Sequence, residues 1–216
     1  MISRWLCIGF LLFSSITFAD SVPNTNKLPE KGTVALTFDD GPHPVYTRQI
    51  LAILKDNNIK ATFFVVGVNA RKYADVIKEI RDQGHVIASH SQTHPMLTKL
   101  NNTTLNFEVA EPSVIVNDII GIKPKCLRYP FGASNEHVRT VIREHGMQPV
   151  AMGFNSFDYE RPGTQKIADQ ILNNSYPRMV ILLHDGYDKR EQTVAALPII
   201  IEGIKKKGLG FSAICG

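Results

Sequence analysis

Apolar runs of strand length alternate with stretches of helical periodicity along most of the chain. The strand-like runs cover residues 33–38, 61–66, 85–89, 126–129, 149–154, 179–183 and 210–214. The helix-like stretches cover residues 45–57, 70–83, 104–118, 134–146, 163–175 and 192–207. Because strands separated by helices form parallel sheets, this alternation predicts an α/β fold. The economical arrangement is a distorted, incomplete (β/α) barrel with about seven mostly parallel strands.

Two of the predicted helices carry additional local signals. The segment YADVIKEIRDQG has the apolar spacing of an amphipathic helix, and Gly84 is a suitable stop. Pro112 lies within the predicted helix 104–118, where its ring and missing N–H disfavour an unbroken helix. A kink or a split at Pro112 is the alternative to a continuous helix.

The first 19 residues have the layout of a secretory signal peptide. Arg4 supplies the positive end, residues 5–13 are mostly apolar, and Ala19 ends a small-residue cleavage site. The apolar stretch is too short for a membrane span, and an uncleaved amphipathic anchor is the alternative. Cleavage after Ala19 leaves a polar leader over residues 20–32 and one domain over residues 33–216, with no stable membrane span. We therefore expect a secreted or periplasmic protein.

Charge and cysteine content narrow the classes of partner. The chain has a formal net charge of +4, and loss of Arg4 with the signal leaves +3. This balance does not indicate nucleic-acid binding, which needs a concentrated basic patch, and it favours only weak attraction to an anionic envelope polymer. An exported protein can form disulfides, so Cys126 and Cys215 are either a bonded pair or two buried thiols. Neither has the C-x-x-C spacing of a metal site.

Polar residues with catalytic chemistry follow four of the predicted strands. They are Asp39 and Asp40 after the first strand, His90 and His94 after the third, Arg128 at the fourth, and His184 after the sixth. The carboxyl ends of the strands in a parallel α/β barrel share one rim, which is where active sites are built. We therefore expect these distant segments to converge.

His90 and His94 have a spacing that suits a divalent metal ion. Pro95 disfavours a helix at His94, so a short or irregular turn is expected. Metalloprotease helices place a glutamate general base after the first histidine, whereas this chain has Ser91. A further ligand and the base must therefore come from elsewhere in the chain.

Asp39 and Asp40 are the obvious source, because two adjacent carboxylates at the end of a buried strand resist burial unless something stabilises their charge. Two histidines and one carboxylate leave a coordination position for water, whose pKa a metal can lower from about 15.7 toward ~7. Neighbouring side chains on an extended segment point in opposite directions, so the two aspartates can have different roles. The pattern alone does not assign those roles.

Four ordered motifs resemble those of the polysaccharide deacetylases, the NodB-homology enzymes of carbohydrate esterase family 4. They are Thr37-Phe38-Asp39-Asp40-Gly41-Pro42, His90-Ser91-x-x-His94-Pro95, Arg128-x-Pro130-Phe131-Gly132 and Leu182-Leu183-His184. The resemblance runs from about residue 33 to the C-terminus. Taken singly, each motif has an ordinary explanation as a turn, a surface histidine or an ion pair. Together they would require four coincidences at one rim.

The resemblance implies a role for each matching residue. Asp39 would be the catalytic base, paired with Arg128, and the metal ligands would be Asp40, His90 and His94. The backbone N–H of Phe131 would help to stabilise the oxyanion, His184 would be the general acid, and Asp158 would be its charge partner. The cofactor would be one divalent metal ion, Zn²⁺ in first place and Co²⁺ or another ion as alternatives.

The resemblance also implies the reaction, which is removal of N-acetyl groups from an extracytoplasmic glycan such as peptidoglycan or a chitin-like oligomer. The alternatives are an O-acetyl esterase acting on xylan-type polymers, hydrolysis of small cyclic amides, and a catalytically inactive glycan-binding protein. The chain departs from the family's Asp-x-x-Asp-Trp motif, since it has Asn155 and Tyr159 around Asp158. It also has Phe131 where tyrosine is frequent, although only the backbone donor is required there. These departures alter a groove wall and leave the substrate preference open.

Overall fold

The computed structural model describes residues 28–187 and 189–216. The expected signal peptide, residues 1–19, and the leader as far as residue 27 lie outside the described residues. Among the helices of the described ranges, none combines the length and the hydropathy that a membrane span needs.

Eight strands in the described residues form one sheet. They are β1 (Thr33–Asp39), β2 (Thr62–Val65), β3 (Val86–Ser89), β4 (Cys126–Arg128), β5 (Gln148–Val150), β6 (Phe154–Asn155), β7 (Val180–His184) and β8 (Gly210–Phe211). Their order is β5-β4-β3-β2-β1-β7-β6, with β8 beside β1. Every pairing is parallel, which confirms the predicted α/β class.

The run at residues 149–154 was predicted as one strand, and this prediction is wrong. It forms the end of β5 and the start of β6, which lie at opposite edges of the sheet. The positive φ of 81° at Gly153 redirects the chain between them. Because four residues span at most about 14 Å, the two edges must approach each other. The sheet therefore curls into an incomplete barrel, as predicted.

Seven α-helices are described around this sheet. They are α1 (Tyr46–Asp56), α2 (Gly67–Lys72), α3 (Ala74–Asp82), α4 (Asn102–Ile120), α5 (Glu136–Glu144), α6 (Thr164–Asn174) and α7 (Glu191–Lys206). The predicted helix 70–83 is divided at Tyr73, whose φ of −121° and ψ of 51° are not helical. Helix α4 continues through Pro112, because packing of the buried ring offsets the missing hydrogen bond.

The alternation of side chains in β1 prepares the site. Val34, Leu36 and Phe38 belong to the largest hydrophobic cluster, which also contains residues of several surrounding helices. The residues between them belong to the other face, where Ala35 packs with side chains of β2, β3 and β4. Successive side chains of a strand point to opposite faces, so Asp39 is on the same face as Ala35 and at the carboxyl end of β1. The buried strand β1 therefore ends with a carboxylate at the rim of the barrel.

A disulfide bond joins Cys126 of β4 to Cys215 near the C-terminus. This pairing settles the choice between a disulfide and two free thiols. Ile214 adds a backbone anchor beside it, since its N–H donates to Thr62 Oγ1 over 3.0 Å and its carbonyl accepts from the same hydroxyl over 2.8 Å. The C-terminal segment is therefore fixed to the interior of the barrel.

Candidate active site

The segments that follow β1, β3, β4 and β7 meet at one groove, as the parallel topology predicts. The groove is lined by five of the predicted site residues with polar side chains and by Phe131; the five are Asp39, Asp40, His90, His94 and His184. The remaining two predicted residues support members of this set. Arg128 contacts Asp39, and Asp158 contacts His184.

Asp40, His90 and His94 have the arrangement of a metal site. One ligand atom from each residue lies within 4.8 Å of the others. Asp40 Oδ1 is 3.5 Å from His90 Nε2 and 3.3 Å from His94 Nε2. This oxygen is buried and has no hydrogen-bond partner among the described residues. A buried, unpartnered carboxylate oxygen facing two imidazole nitrogens fits a divalent cation well.

The orientation and burial of the two imidazoles are compatible with metal binding. His90 Nδ1 is 2.7 Å from the carbonyl oxygen of Arg128, which can only accept a hydrogen bond. His90 Nδ1 therefore carries a proton, and Nε2 is the ring nitrogen that faces Asp40. Burial, together with the neighbouring His90, lowers the pKa of His94 below its ordinary value.

Close backbone approach at two glycines brings the loops after β1 and β7 together. A Cβ atom added at Gly186 would overlap the backbone of Asp40, and one added at Gly41 would overlap the carboxylate of Asp185. Asp40 itself has a φ of 74°, in the left-handed region that non-glycine residues rarely adopt. The surrounding packing thus holds the Asp40 carboxylate in an orientation that its backbone alone would disfavour.

Asp39 is held by a buried arginine. Arg128 Nη1 donates to Asp39 Oδ1 over 2.6 Å and to Thr37 Oγ1 over 2.9 Å. The guanidinium also lies over the ring of Phe64, with 3.9 Å between its carbon and the ring centroid. Asp39 Oδ2 is 3.6 Å from His90 Nε2. One carboxylate oxygen is therefore fixed by Arg128, while the other faces the candidate metal site.

The side chain of His184 is held in place by the buried Asp158. His184 Nδ1 lies 2.7 Å from Asp158 Oδ1, and its backbone N–H donates to Asp158 Oδ2. The hydroxyls of Ser156 and Thr193 also donate to this carboxylate. Burial opposes protonation of His184, but the hydrogen bond and charge of Asp158 overcome it and raise the pKa of His184. This arrangement favours an imidazolium with Nε2 available to the groove.

Aromatic rings stand on both sides of these groups. On the metal side, Phe131 is edge-on to His94 with ring centroids 4.6 Å apart, and Tyr187 is 5.9 Å from the same ring. On the other side, Tyr159 is edge-on to His184 at 5.4 Å. The rings are 60%, 52% and 43% exposed, respectively, so their surfaces are available to a ligand. Such exposed rings suit the apolar faces of sugars.

Two buried carboxylates near the site were given no role from the sequence. Asp185 is fully buried and accepts a hydrogen bond from Thr47 Oγ1 over 2.6 Å. Burial raises its pKa to about 7, and the charges of Asp40 and Asp39 act in the same direction. Glu108 is 3% exposed and contacts the loop between the two histidines. The sequence did indicate that Glu108 is unusual, because its spacing places a charged residue beside Leu105 and Val109 on the apolar face of α4.

A parallel barrel whose rim joins an Asp–His–His group to a fixed carboxylate and a paired histidine has the architecture of a metal-dependent hydrolase. The polysaccharide deacetylase family model matches residues 26–150. The chain belongs to this family, as the four motifs predicted.

Curated relatives extend the match over most of the chain. A peptidoglycan-N-acetylglucosamine deacetylase of Bacillus cereus is 37% identical over 182 residues, which cover 84% of this chain and 66% of that protein. A chitooligosaccharide deacetylase of Rhizobium leguminosarum bv. trifolii is 31% identical over 209 residues, which cover 91% of this chain and 97% of that protein. A crystal structure of a peptidoglycan N-acetylglucosamine deacetylase in complex with 4-naphthalen-1-yl-N-oxidanyl-benzamide has a TM-score of 0.82 and 36% identity, covering 85% of this chain and 86% of that chain.

Proposed function

We propose that this protein is a metal-dependent hydrolase that removes N-acetyl groups from an extracytoplasmic glycan, either peptidoglycan or a chitin-like oligomer. The observation that carries the proposal is the Asp40–His90–His94 group, whose ligand atoms lie within 4.8 Å of one another in the same groove as Asp39 and His184. Family membership and the activities named for the relatives support the same reaction.

The candidate ligands are best suited to Zn²⁺. Zinc in catalytic sites commonly takes three protein ligands of nitrogen and oxygen type and keeps a position open. Co²⁺ accepts similar ligands and is the alternative. A divalent cation held here supplies Lewis acidity and makes water more acidic.

Asp39 has the geometry of the catalytic base. Arg128 fixes one oxygen of its carboxylate, and the free oxygen Oδ2 faces the candidate ligands, where it can accept a proton from the attacking water. The backbone N–H of Phe131, on the groove wall, is the protein donor for the oxyanion of the tetrahedral intermediate.

His184 has the properties required of the general acid. An amine anion is a very poor leaving group, so the nitrogen of the amide must be protonated as the C–N bond breaks. Asp158 stabilises the protonated imidazole through Nδ1 and thereby directs the second proton, on Nε2, toward the groove. The amine and acetate are the products.

An acetylated glycan chain fits the shape and lining of the groove. Tyr159 beside His184 and the pair Phe131 and Tyr187 beside His94 offer stacking surfaces on both sides of the reacting residue. Asn155 also lines the groove and can hydrogen-bond to a sugar hydroxyl. The same wall carries the departures from the family motif, so it is where specificity among glycans would be decided.

The proposed substrates place the protein outside the cytoplasm. The signal-like residues 1–19 would direct export, and residues 20–32 would connect them to a catalytic domain over residues 33–216. The protein would therefore act as a secreted or periplasmic enzyme.

Acetate release from defined substrates tests the proposal. We expect acetate from N-acetylglucosamine oligomers or peptidoglycan, loss of activity on chelation, and recovery on addition of zinc. Asp39→Asn should retain zinc and lose at least about 100-fold in kcat, since general-base catalysis contributes about 10²–10⁴-fold. Acetate from acetylxylan alone would favour the O-acetyl esterase. Binding of acetylated oligomers without acetate release would favour an inactive glycan-binding protein, and activity that is indifferent to chelation would refute the metal assignment.

A further inference from the structure

The loop that carries both histidine ligands has an uncommon backbone. We define the histidine loop as residues 90–94, which follow β3. Ser91 and His94 have φ values of 66° and 63°, so two non-glycine residues in this short loop adopt left-handed conformations. Such conformations persist only where surrounding contacts fix them.

Two successive peptide groups of the histidine loop are held from both sides. On one side, their carbonyl oxygens accept from the first turn of α2, where Gly67 N–H donates to Ser91 O and Val68 N–H donates to Gln92 O, each over 3.0 Å. On the other side, the N–H groups of Gln92 and Thr93 donate to Glu108 Oε2 over 2.9 and 2.8 Å. The planes of both peptide groups are thereby fixed.

Glu108 accepts the hydrogen bonds of both N–H groups of the histidine loop. Besides the two backbone bonds, its Oε1 accepts from Thr93 Oγ1 over 2.6 Å. The carboxylate is 3% exposed, and among the described residues it forms no ion pair with a lysine, an arginine or a histidine. Helix α4, which carries Glu108, is the next α-helix along the chain after the histidine loop. Burial of a carboxylate without a cation is costly, and three hydrogen bonds offset part of that cost here.

We propose that Glu108 is a positioning residue for the metal site, which sets the direction of the His90 and His94 side chains by fixing the peptide groups between them. This inference rests on the proposed metal-dependent function. Its physical basis is geometric, because the carboxylate binds backbone N–H groups and does not reach the imidazoles through any described hydrogen bond. Loss of these acceptors would leave two N–H groups unpaired, and the peptide groups would rotate to find new partners.

Two substitutions at Glu108 separate geometry from charge. Glu108→Gln keeps the reach of the side chain, since its amide oxygen can accept from both N–H groups and its NH₂ can donate to Thr93 Oγ1. Glu108→Asp keeps the charge but shortens the side chain by one methylene, about 1.5 Å. A geometric role predicts that the glutamine variant binds metal better than the aspartate variant, whereas a purely electrostatic role predicts the reverse.

Metal affinity measured on the apo-protein is the readout. Titration calorimetry with Zn²⁺, and the visible absorption of bound Co²⁺, would be recorded below the melting temperature of each variant. We expect Glu108→Asp and Glu108→Ala to raise the metal Kd by about 10- to 100-fold, and Glu108→Gln to remain within about threefold of the wild type. Glu111→Ala is the matched control, because Glu111 is on the same helix but pairs with Arg71 on the surface.

The outcomes discriminate between the inference and the function on which it rests. Wild-type affinity in Glu108→Asp, or equal weakening in the glutamine and alanine variants, would overturn the positioning role. If Glu108→Ala does not fold, the comparison of the aspartate and glutamine variants still decides. Absence of metal binding by the wild-type protein would instead refute the proposed function.

Discussion

Replacement of Asp158 by asparagine should move the pH dependence of the reaction in a defined direction. His184 acts as an acid in the proposed mechanism, so kcat falls as the pH rises through its pKa. Asp158 raises that pKa against the effect of burial. Asp158→Asn removes the charge, lowers the pKa of His184, and moves the basic limb of the pH–rate profile toward lower pH.

The size of this displacement follows from the contact between the two side chains. His184 Nδ1 and Asp158 Oδ1 are 2.7 Å apart, and Asp158 is almost completely buried. Opposite unit charges about 4 Å apart attract each other by about 4 kcal/mol at an effective dielectric constant of ~20. This attraction favours the imidazolium of His184, and the substitution removes only part of it because asparagine retains one accepting oxygen. We expect the basic limb to move to lower pH.

The assay is the pH dependence of kcat for acetate release at saturating substrate and metal. At a pH above the His184 pKa of both proteins, the protonated fraction of His184 is smaller in the variant, so kcat should fall, by about 1000-fold if the whole attraction of about 4 kcal/mol is lost. Thr193→Val is the control, because it removes one hydrogen bond to Asp158 and keeps the carboxylate. An unchanged basic limb in Asp158→Asn, or movement of that limb to higher pH, would show that His184 is not the acid.

Two further predictions concern stability. The pKa of Asp185 is raised to about 7 from its ordinary 3.8, so between these values the native protein holds a proton that the unfolded chain loses. The free energy of unfolding should therefore fall as the pH rises from about 4 to 7. Relative to the metal-free wild type, Asp185→Asn should lack this fall, which amounts to at most about 4 kcal/mol in urea unfolding; parallel curves for the two proteins would contradict the assignment. The disulfide closes a loop between positions 89 residues apart, so Cys126→Ser/Cys215→Ser should lose about 2–5 kcal/mol in the same measurement, and an unchanged midpoint would show that the bond does not stabilise the fold.

The sequence was most informative where one local pattern determines the position of a side chain. Asp39 and His184 each end an apolar strand, and the parallel register places them side by side on β1 and β7. The position of these residues at the rim therefore follows from the order of the secondary-structure elements and from the two-residue period of the strands. The family motifs then added roles that spacing alone left open.

The features that the sequence did not predict depend on contacts between distant segments. The division of residues 149–154 into β5 and β6 requires the sheet to curl, and the signal was only Gly153 within an apolar run. Glu108 could be placed on the buried face of a helix, but its partners are determined by the packing of α4 against the histidine loop. Local periodicity reports which face is buried, and it does not report what lies against that face.

The charges of the groove explain why a cation is favoured there. Asp39 is paired with Arg128, and Asp158 is paired with His184. Near the buried oxygen of Asp40 lie the imidazoles of His90 and His94, and among the described residues no lysine or arginine pairs with this carboxylate. An unpaired buried carboxylate costs several kcal/mol, and a divalent ion bound to Asp40 would remove this cost. Burial is the main cause of the raised pKa of the adjacent Asp185, and the charges of Asp40 and Asp39 add to it. The electrostatics of the groove therefore favour a bound cation beside Asp40.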